Sequence, residues 1–282
     1  MPVKPKIVRT IAALRRETAK WRGEGLRYAV VPTMGALHEG HMALVRAGCK
    51  RADRVITTIF VNPKQFAAHE DLGRYPRDEA GDLAKLGSAG THLVFAPTAE
   101  EVYPANFATT ISLGGPAKVG LEDRFRPQFL VGVATVVAKL FIQTGADFAM
   151  FGEKDYQQLK AVTRMAKDLD IPIDVVGVAT MREPDGLAMS SRNAYLSKSE
   201  RRQAAAIFRT LTEAALKIRG GTGPQTATRS AHRSLAAQGF KVDYVAARNA
   251  ETLAVPKDNS EPLRLLAAAW LGKTRLIDNI EV

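Results

Sequence analysis

Along the chain as far as Met181, apolar residues fall into two alternating rhythms. Residues 27–33, with a short apolar run from Tyr28 to Val31, and residues 54–61, rich in β-branched side chains, read as buried strands. Residues 91–96, 109–113, 146–151 and 173–181 read as further strands. Between these runs the period is helical. Ile11, Leu14 and Trp21 mark a first helix, which Gly23 and Gly25 close. Helices follow over residues 41–52, 79–86, 130–142, with a strongly apolar face, and 155–169. Thr98 to Glu101 has capping-box spacing and starts one short helical turn. Strands alternating with helices predict an α/β fold: a Rossmann-like parallel sheet with helices on both faces.

After Met181 the pattern changes. Glu183-Pro184-Asp185-Gly186 is turn chemistry. Ser197 to Glu200 is a second capping box, opening a helix that runs to Gly220-Gly221. Residues 225–237 are a further helix, and residues 240–247, 263–270 and 274–280 read as three strands. The expected organisation is a Rossmann-like domain over residues 1–182 and a smaller α+β domain over residues 183–282 that closes over the site. There is no internal repeat and no low-complexity segment.

Composition adds direction rather than identity. The 282 residues, 46% apolar and 24% charged, suffice for a sizeable core. Lys and Arg number 40 against 29 acidic residues, a net charge of +11 that favours anionic partners. The basic residues are spread along the chain, with no basic tail. Cys49 is the only cysteine, so no intrachain disulfide forms and a reduced cytoplasmic setting fits. Its place on the apolar side of a helix predicts a buried structural thiol. Met1-Pro2-Val3-Lys4-Pro5-Lys6 lacks the apolar core of a signal peptide. The longest apolar stretch, residues 129–141, contains Lys139 and is too short to span a bilayer.

Ligands of such sheets bind beyond the carboxyl ends of the strands. That brings forward the loops after Val31, Val61, Phe151 and Met181. The first is Pro32-Thr33-Met34-Gly35-Ala36-Leu37-His38-Glu39-Gly40-His41. Pro32 ends the strand and Gly35 lets the chain turn. His38 and His41 then share one side of the first helical turn, and Gly40 between them lets a ligand approach the backbone. A helix N-terminus suits a phosphate. Imidazole donors there can meet charge developing on phosphate oxygens during a displacement. The letters H-x-G-H alone favour two surface histidines at a helix cap, or half of a metal site. The strand before and the helix after turn the reading toward phosphate.

Three other stretches carry chemistry. Asn62 and Gln65, in Phe60-Val61-Asn62-Pro63-Lys64-Gln65-Phe66, offer amides to a small polar substrate, or simply cap a turn. In Phe151-Gly152-Glu153-Lys154-Asp155-Tyr156-Gln157-Gln158, Lys154 and Gln158 share a helix face. Lys154 can pair with a phosphate as a point charge, or merely decorate a first turn. Met189-Ser190-Ser191-Arg192 places two hydroxyls and a guanidinium at the domain junction, a set able to bind polyphosphate oxygens. No Ser-His-Asp logic, P-loop glycine pattern or dense metal cluster is readable.

Taken together, and with Tyr75-Pro76-Arg77, Asp185-Gly186-Leu187-Ala188-Met189-Ser190-Ser191-Arg192-Asn193 and Ala269-Trp270-Leu271-Gly272, these motifs resemble the pantothenate synthetases. Their broader relatives are the H-x-G-H nucleotidyltransferases and class I aminoacyl-tRNA synthetases. The resemblance runs from the first helix almost to the last residue. It implies an ATP-dependent, AMP-forming amide ligase of coenzyme A biosynthesis. Pantoate's carboxylate attacks the α-phosphate of ATP, giving pantoyl adenylate and pyrophosphate; β-alanine's amine then releases AMP and pantothenate. It also implies magnesium and a homodimer. Carried over residue by residue, Met34, Gly35, Ala36, Leu37, His38, Glu39, Gly40 and His41 hold ATP. So do Gly152, Glu153, Lys154 and Asp155, then Met181 through its backbone, and Met189, Ser190, Ser191 and Arg192. Asn62, Gln65 and Gln158 hold the small substrates. His41, in the position of a proton donor, His38, Lys154 and Arg192 are the catalytic set. Asp82 is the nearest magnesium candidate. The sequence departs from the family at Arg126-Pro127-Gln128-Phe129-Leu130-Val131-Gly132-Val133, where Arg-Pro-Gly-His-Phe-x-Gly-Val is usual.

Two other readings compete. A nucleotidyltransferase acting on a phosphate-bearing acceptor would want cations where Asn62 and Gln65 stand. A nucleic-acid-binding protein would suit the +11 charge, but no aromatic-basic RNA motif appears. The expected partners are therefore small molecules, not nucleic acid or membrane.

Overall fold

A computed structural model describes residues 5–67, 72–257 and 261–282. Residues 1–4, which belong to the amino-terminal stretch without a signal-peptide core, lie outside the described residues. In chain order the first part holds β1 (Lys6–Val8), α1 (Ile11–Gly23), β2 (Tyr28–Thr33), α2 (Glu39–Arg51), β3 (Arg54–Ile59), α3 (Glu79–Ala89), β4 (Leu93–Phe95) and α4 (Ala99–Val102). Next come α5 (Glu122–Phe125), α6 (Phe129–Thr144), β5 (Phe148–Gly152), α7 (Tyr156–Asp168) and β6 (Asp174–Val178). The remainder is α8 (Lys198–Ala204), α9 (Ala206–Arg219), α10 (Pro224–Ala237), β7 (Lys241–Asn249), β8 (Leu263–Leu271) and β9 (Thr274–Glu281).

The first six strands form one parallel sheet in the order β1-β4-β3-β2-β5-β6. Tyr28, Ala29, Val30 and Val31 are buried because helices cover both faces of β2. From β2 the chain builds outward through β3 and β4, then crosses to build β5 and β6 on the other side. Ala29 pairs with Phe148 and Val30 with Ala149, so the carboxyl ends of β2 and β5 lie side by side at this reversal. Ligand crevices open at such points.

The last three strands form an antiparallel sheet, β7-β8-β9, with a register shift between Val242 and Tyr244. One face buries Leu265, Ala267, Ala269 and Leu276 with Ile207, Leu211 and Leu235 from the helices α9 and α10. The other places Ala246 and Leu266 in the larger core, with Tyr244 packed against it. β8 is thus covered on both sides, which is why Leu263 to Leu271 reads as a nearly continuous apolar run.

Several expectations change. Residues 109–113 are not a strand. Their β-branched composition is real, but the Ile111 N–H donates to Thr135 Oγ1 of α6, and Ile111 and Leu113 pack against the core. The edge strand β1 went unread because its burial is uneven and short. The single helix expected from Ser197 is two, divided at Ala205. Cys49 is exposed, not buried. Gly48 is the residue that meets Val55 and Ala29, so the next position turns away from the sheet.

Candidate active site

The loop after β2 is pinned from beneath. Asp82 of α3 is buried, and its two carboxylate oxygens accept from the Ala36 and Leu37 N–H groups, each at 2.8 Å. Lys85 Nζ donates to Leu37 O at 2.7 Å. The chain must take left-handed backbone here, φ +82° at Gly35 and +52° at Ala36, and these bonds hold it there. Burial pushes the Asp82 carboxyl up from its ordinary value. Both its oxygens serve the loop backbone, which is a different task from the magnesium contact that the family likeness suggests.

That loop delivers the two imidazoles. Their ring centroids are 4.1 Å apart. His38 Nδ1 accepts from the Gly40 N–H at 3.1 Å, and His41 Nδ1 accepts from the His38 N–H at 3.3 Å. Each ring caps the start of α2 with Nδ1, so each neutral ring carries its proton on Nε2. Burial, reinforced by the charges of Lys154 and Lys85, lowers the His38 pKa to about 4. Burial, then His38 and Lys154, lowers that of His41 to about 3. At neutral pH both are uncharged Nε2–H donors rather than imidazolium cations. Gly40 leaves room for the His38 ring: a Cβ there would stand 2.8 Å from His38 Cε1 and force the ring to shift.

Across the crevice, Gly152 ends β5 and Glu153 to Asp155 form a short tight turn leading into α7. Lys154 Nζ is 3.8 Å from Asp155 Oδ2 and largely shielded. The amide pair lies deeper. Asn62 Nδ2 donates to Gln65 Oε1 at 3.0 Å and to Gly132 O at 3.2 Å, while its Oδ1 accepts from Tyr103 Oη at 2.8 Å and from the Lys64 N–H at 3.3 Å. All four hydrogen-bonding positions of Asn62 are thus filled by protein groups. Gln65 Nε2 points to Met34 Sδ at 3.1 Å. In this arrangement Asn62 orients Gln65, and Gln65 faces the cavity. Gly132 permits the approach, since a Cβ would meet Lys64 O.

The departure from the family motif falls at the entrance to α6. Phe129 and Leu130 are buried, and Phe129 lines the cavity with the Arg126 guanidinium 3.9 Å from its ring centroid. Gln128 Nε2 is buried without a hydrogen-bond partner among the described residues. On the far side, Ser190 Oγ accepts from the Arg192 N–H at 3.2 Å, Ser191 Oγ meets Tyr75 Oη at 3.1 Å, and Met181 O accepts from the Met189 N–H at 2.9 Å.

A cavity of about 650 Å³ joins these parts, a size that takes a small cofactor or substrate. Of the residues singled out from sequence, Met34, His38, Gly40, His41, Asn62, Gln65, Gly152, Lys154, Asp155, Gln158, Met181, Met189, Ser190, Ser191 and Arg192 line it. Gly35, Ala36 and Leu37 lie behind the wall as the pinned turn. Glu39 is exposed and pairs with Arg46 at 2.9 Å. Glu153 turns away to accept from Arg264 at 3.1 Å. Sequence reasoning missed the wall contributed by β7, β9 and the β8–β9 turn. There Arg275 donates to both Glu122 oxygens and to Asp243, each at 2.8 Å, Tyr244 Oη donates to Glu122, and Lys273 lines the rim. Alternation of acid and base along these strands was the available signal, but it also describes a solvated sheet.

A family model for pantoate-beta-alanine ligase matches residues 6–281. The chain is similar to the pantothenate synthetase of Nitrobacter winogradskyi, 54% identical over 100% of both chains. It is 55% identical to that of Caulobacter vibrioides, over 99% of each. Among solved structures it superposes on a pantothenate synthetase from Thermus thermophilus with a TM-score of 0.92 at 43% identity, covering 98% of this chain and 99% of that one. It superposes on a pantoate-beta-alanine ligase from Francisella tularensis, complexed with beta-gamma ATP and beta-alanine, with a TM-score of 0.81 at 29% identity, covering 98% and 97%. The chain belongs to the pantoate–β-alanine ligase family.

Proposed function

We propose that this cavity condenses pantoate with β-alanine in two half-reactions, with its lining residues in distinct roles. The observation that carries the assignment is the meeting, at the β2–β5 reversal, of two neutral Nε2–H donors with a shielded lysine beside an amide-lined recess. In the first half-reaction a pantoate carboxylate oxygen bonds to the α-phosphorus of ATP and pyrophosphate leaves. A carboxylate is already ionised at neutral pH and needs no general base. What the protein supplies is position and charge complementarity. His38 and His41 donate hydrogen bonds to phosphate oxygens, and Lys154 and Arg192 supply positive charge. Gln65 and Gln158 orient pantoate, with Asn62 behind Gln65. In the second half-reaction the β-alanine amine attacks the acyl carbon and AMP departs. The Francisella relative, solved as a complex with beta-gamma ATP and beta-alanine, supports both of those substrates here.

Magnesium fits the donor set as an ion arriving on ATP. Among the described residues no group of three His, Cys, Asp or Glu side chains is poised as a metal site. Mg²⁺ on substrate phosphates asks only for one or two carboxylates. Asp155, lining the cavity, would hold it, whereas Asp82 serves the loop. Held by Asp155 there, the ion would neutralise phosphate charge.

We place the domain division at residues 182 and 183, where the Arg182–Ala188 bridge closes a turn. Among the described residues no helix is long and apolar enough to cross a membrane. A cytoplasmic homodimer is the setting the family likeness supports. Pyrophosphate exchange into ATP with pantoate alone, followed by AMP release on adding β-alanine, tests the reaction. Exchange that needs β-alanine from the start would overturn the adenylate route.

A further inference from the structure

The small sheet grips the turn that carries Lys154. Asn279 of β9 is buried, and both polar atoms of its side chain are hydrogen-bonded. Nδ2 donates to Glu153 O at 2.9 Å and to Lys154 O at 2.8 Å, while Oδ1 accepts from Arg264 Nε at 2.7 Å. Arg264 of β8 strengthens the hold: a second guanidinium nitrogen donates to the Glu153 carboxylate at 3.1 Å, and the group lies 4.2 Å from the Tyr156 ring centroid. The preceding residue, Asp278, accepts from Arg182 at 2.8 and 3.0 Å and from the Asn279 N–H at 2.7 Å. So two adjacent residues of β9 hold both segments that flank the phosphate side of the cavity. Neither the Glu153–Asp155 turn nor α7 has a side-chain cap of its own. The shape of the turn is imposed from across the molecule.

We infer that Asn279 is a positioning residue for Lys154: the small sheet sets where the ammonium group stands during adenylate formation. This rests on the assignment of Lys154 to the ATP phosphates. Lys154 sits on a flexible stem, so the two carbonyls held by Asn279 fix where that stem starts. Displacement of a catalytic group by about 1 Å can cost on the order of a hundredfold. The side-chain bonds of Asn279 run to this turn and to Arg264, not to the histidine loop or to residues 190–192, so the effect is specific to one half-reaction.

The test compares Asn279→Ala, Lys154→Ala and the double variant in two assays: pyrophosphate exchange with pantoate and ATP, and amide formation from supplied pantoyl adenylate. Asn279→Ala should lower exchange by about tenfold or more, with amide formation within about twofold. In the Lys154→Ala background the same substitution should cost nothing further. Asn279→Ser, which keeps one donor and one acceptor, should show the same split at about threefold, and it carries the test if the alanine variant does not fold. Equal losses in both half-reactions, or a full additional loss in the Lys154→Ala background, would overturn the inference and leave Asn279 a docking residue. Full exchange in Lys154→Ala would overturn it at its base. A parent protein without exchange would instead remove the ligase reading, and that is seen before any substitution is made.

Discussion

The rim of the parallel sheet and the antiparallel sheet both line the cavity, yet they do so by different physics. At the rim, Asn62, Lys154 and the histidine pair sit on the loop or first helical turn that follows a strand, and local rules place them: a strand stop, a turn glycine, a helix start. His38 and His41 cap the very helix that bears them. In the antiparallel sheet, Asn279 holds the turn at residues 153–155 and Arg275 holds Glu122 of α5, each more than a hundred positions away in sequence. The rim therefore contributes chemistry that can be read locally. The sheet contributes placement that exists only once the chain has folded.

The sharpest way to break this contrast is at His41. His41→Ala should reduce adenylate formation by about a hundredfold or more, as loss of an oxyanion-type donor does, and amide formation from supplied adenylate much less. Pyrophosphate exchange set against single-turnover amide formation gives the two numbers. Equal loss in both would mean that the imidazole does not serve the phosphates.

Lys154→Ala comes next, with exchange expected to fall by roughly tenfold to a hundredfold and thermal stability nearly unchanged. A first-turn lysine paired with Asp155 at 3.8 Å contributes little to the fold. A variant that unfolds early but turns over normally would make Lys154 structural and leave the rim without its fixed cation.

The histidine pair makes a third prediction, through pH. Both folded-state pKa values lie below the ordinary 6.5, at about 4 and about 3, chiefly through burial. Between pH 6.5 and those values the unfolded chain binds more protons than the folded one, so this contribution to stability falls as the pH falls. Melting temperature should therefore drop from pH 6.5 toward 4, with a shallower slope in His41→Ala. Adenylation should show no rise as pH falls from 8 to 6, because the donors are already neutral. A rate that climbs through pH 6.5 would mean that they act as cations.

These cases show why part of the molecule was legible and part was not. The parallel sheet could be expected because β2 carries a buried apolar run, β3 is rich in β-branched residues, and helices alternate with the strands. The shape of the histidine loop could be expected because Gly35, Gly40 and the histidine spacing are local. Residues 109–113 misled because β-branched composition says nothing about whether a partner strand exists. The side chain of Glu153 could not be placed from sequence: its neighbour Lys154 faces the cavity, while the Glu153 carboxylate is drawn to Arg264, a contact no spacing encodes. Asn62 shows a subtler limit. Its place in the recess follows from its loop, but the four bonds that fill its amide come from Tyr103, Lys64, Gln65 and Gly132, which only packing assembles.

The smallest expected effect tests whether the rim's wall can change without changing its chemistry. At Gln128 and Phe129 the chain lacks the glycine and histidine usual in its family. Phe129 is buried, lies under Arg126 and still lines the cavity, so it serves as helix entrance and wall at once. The buried amide nitrogen of Gln128 has no hydrogen-bond partner there among the described residues. Neither residue belongs to the groups assigned to ATP, so adenylation should persist with a less polar wall on the pantoate side. The double substitution Gln128→Gly with Phe129→His should change the pantoate KM by about threefold, with the ATP KM within about twofold. It should also lower the melting temperature, since a buried ring is exchanged for a smaller polar one and a glycine enters just before a helix. A change confined to the ATP KM would move this wall to the nucleotide. No change in either KM would make the departure a repacking of the start of α6, with the substrate recess formed by Gln65 and Gln158 alone.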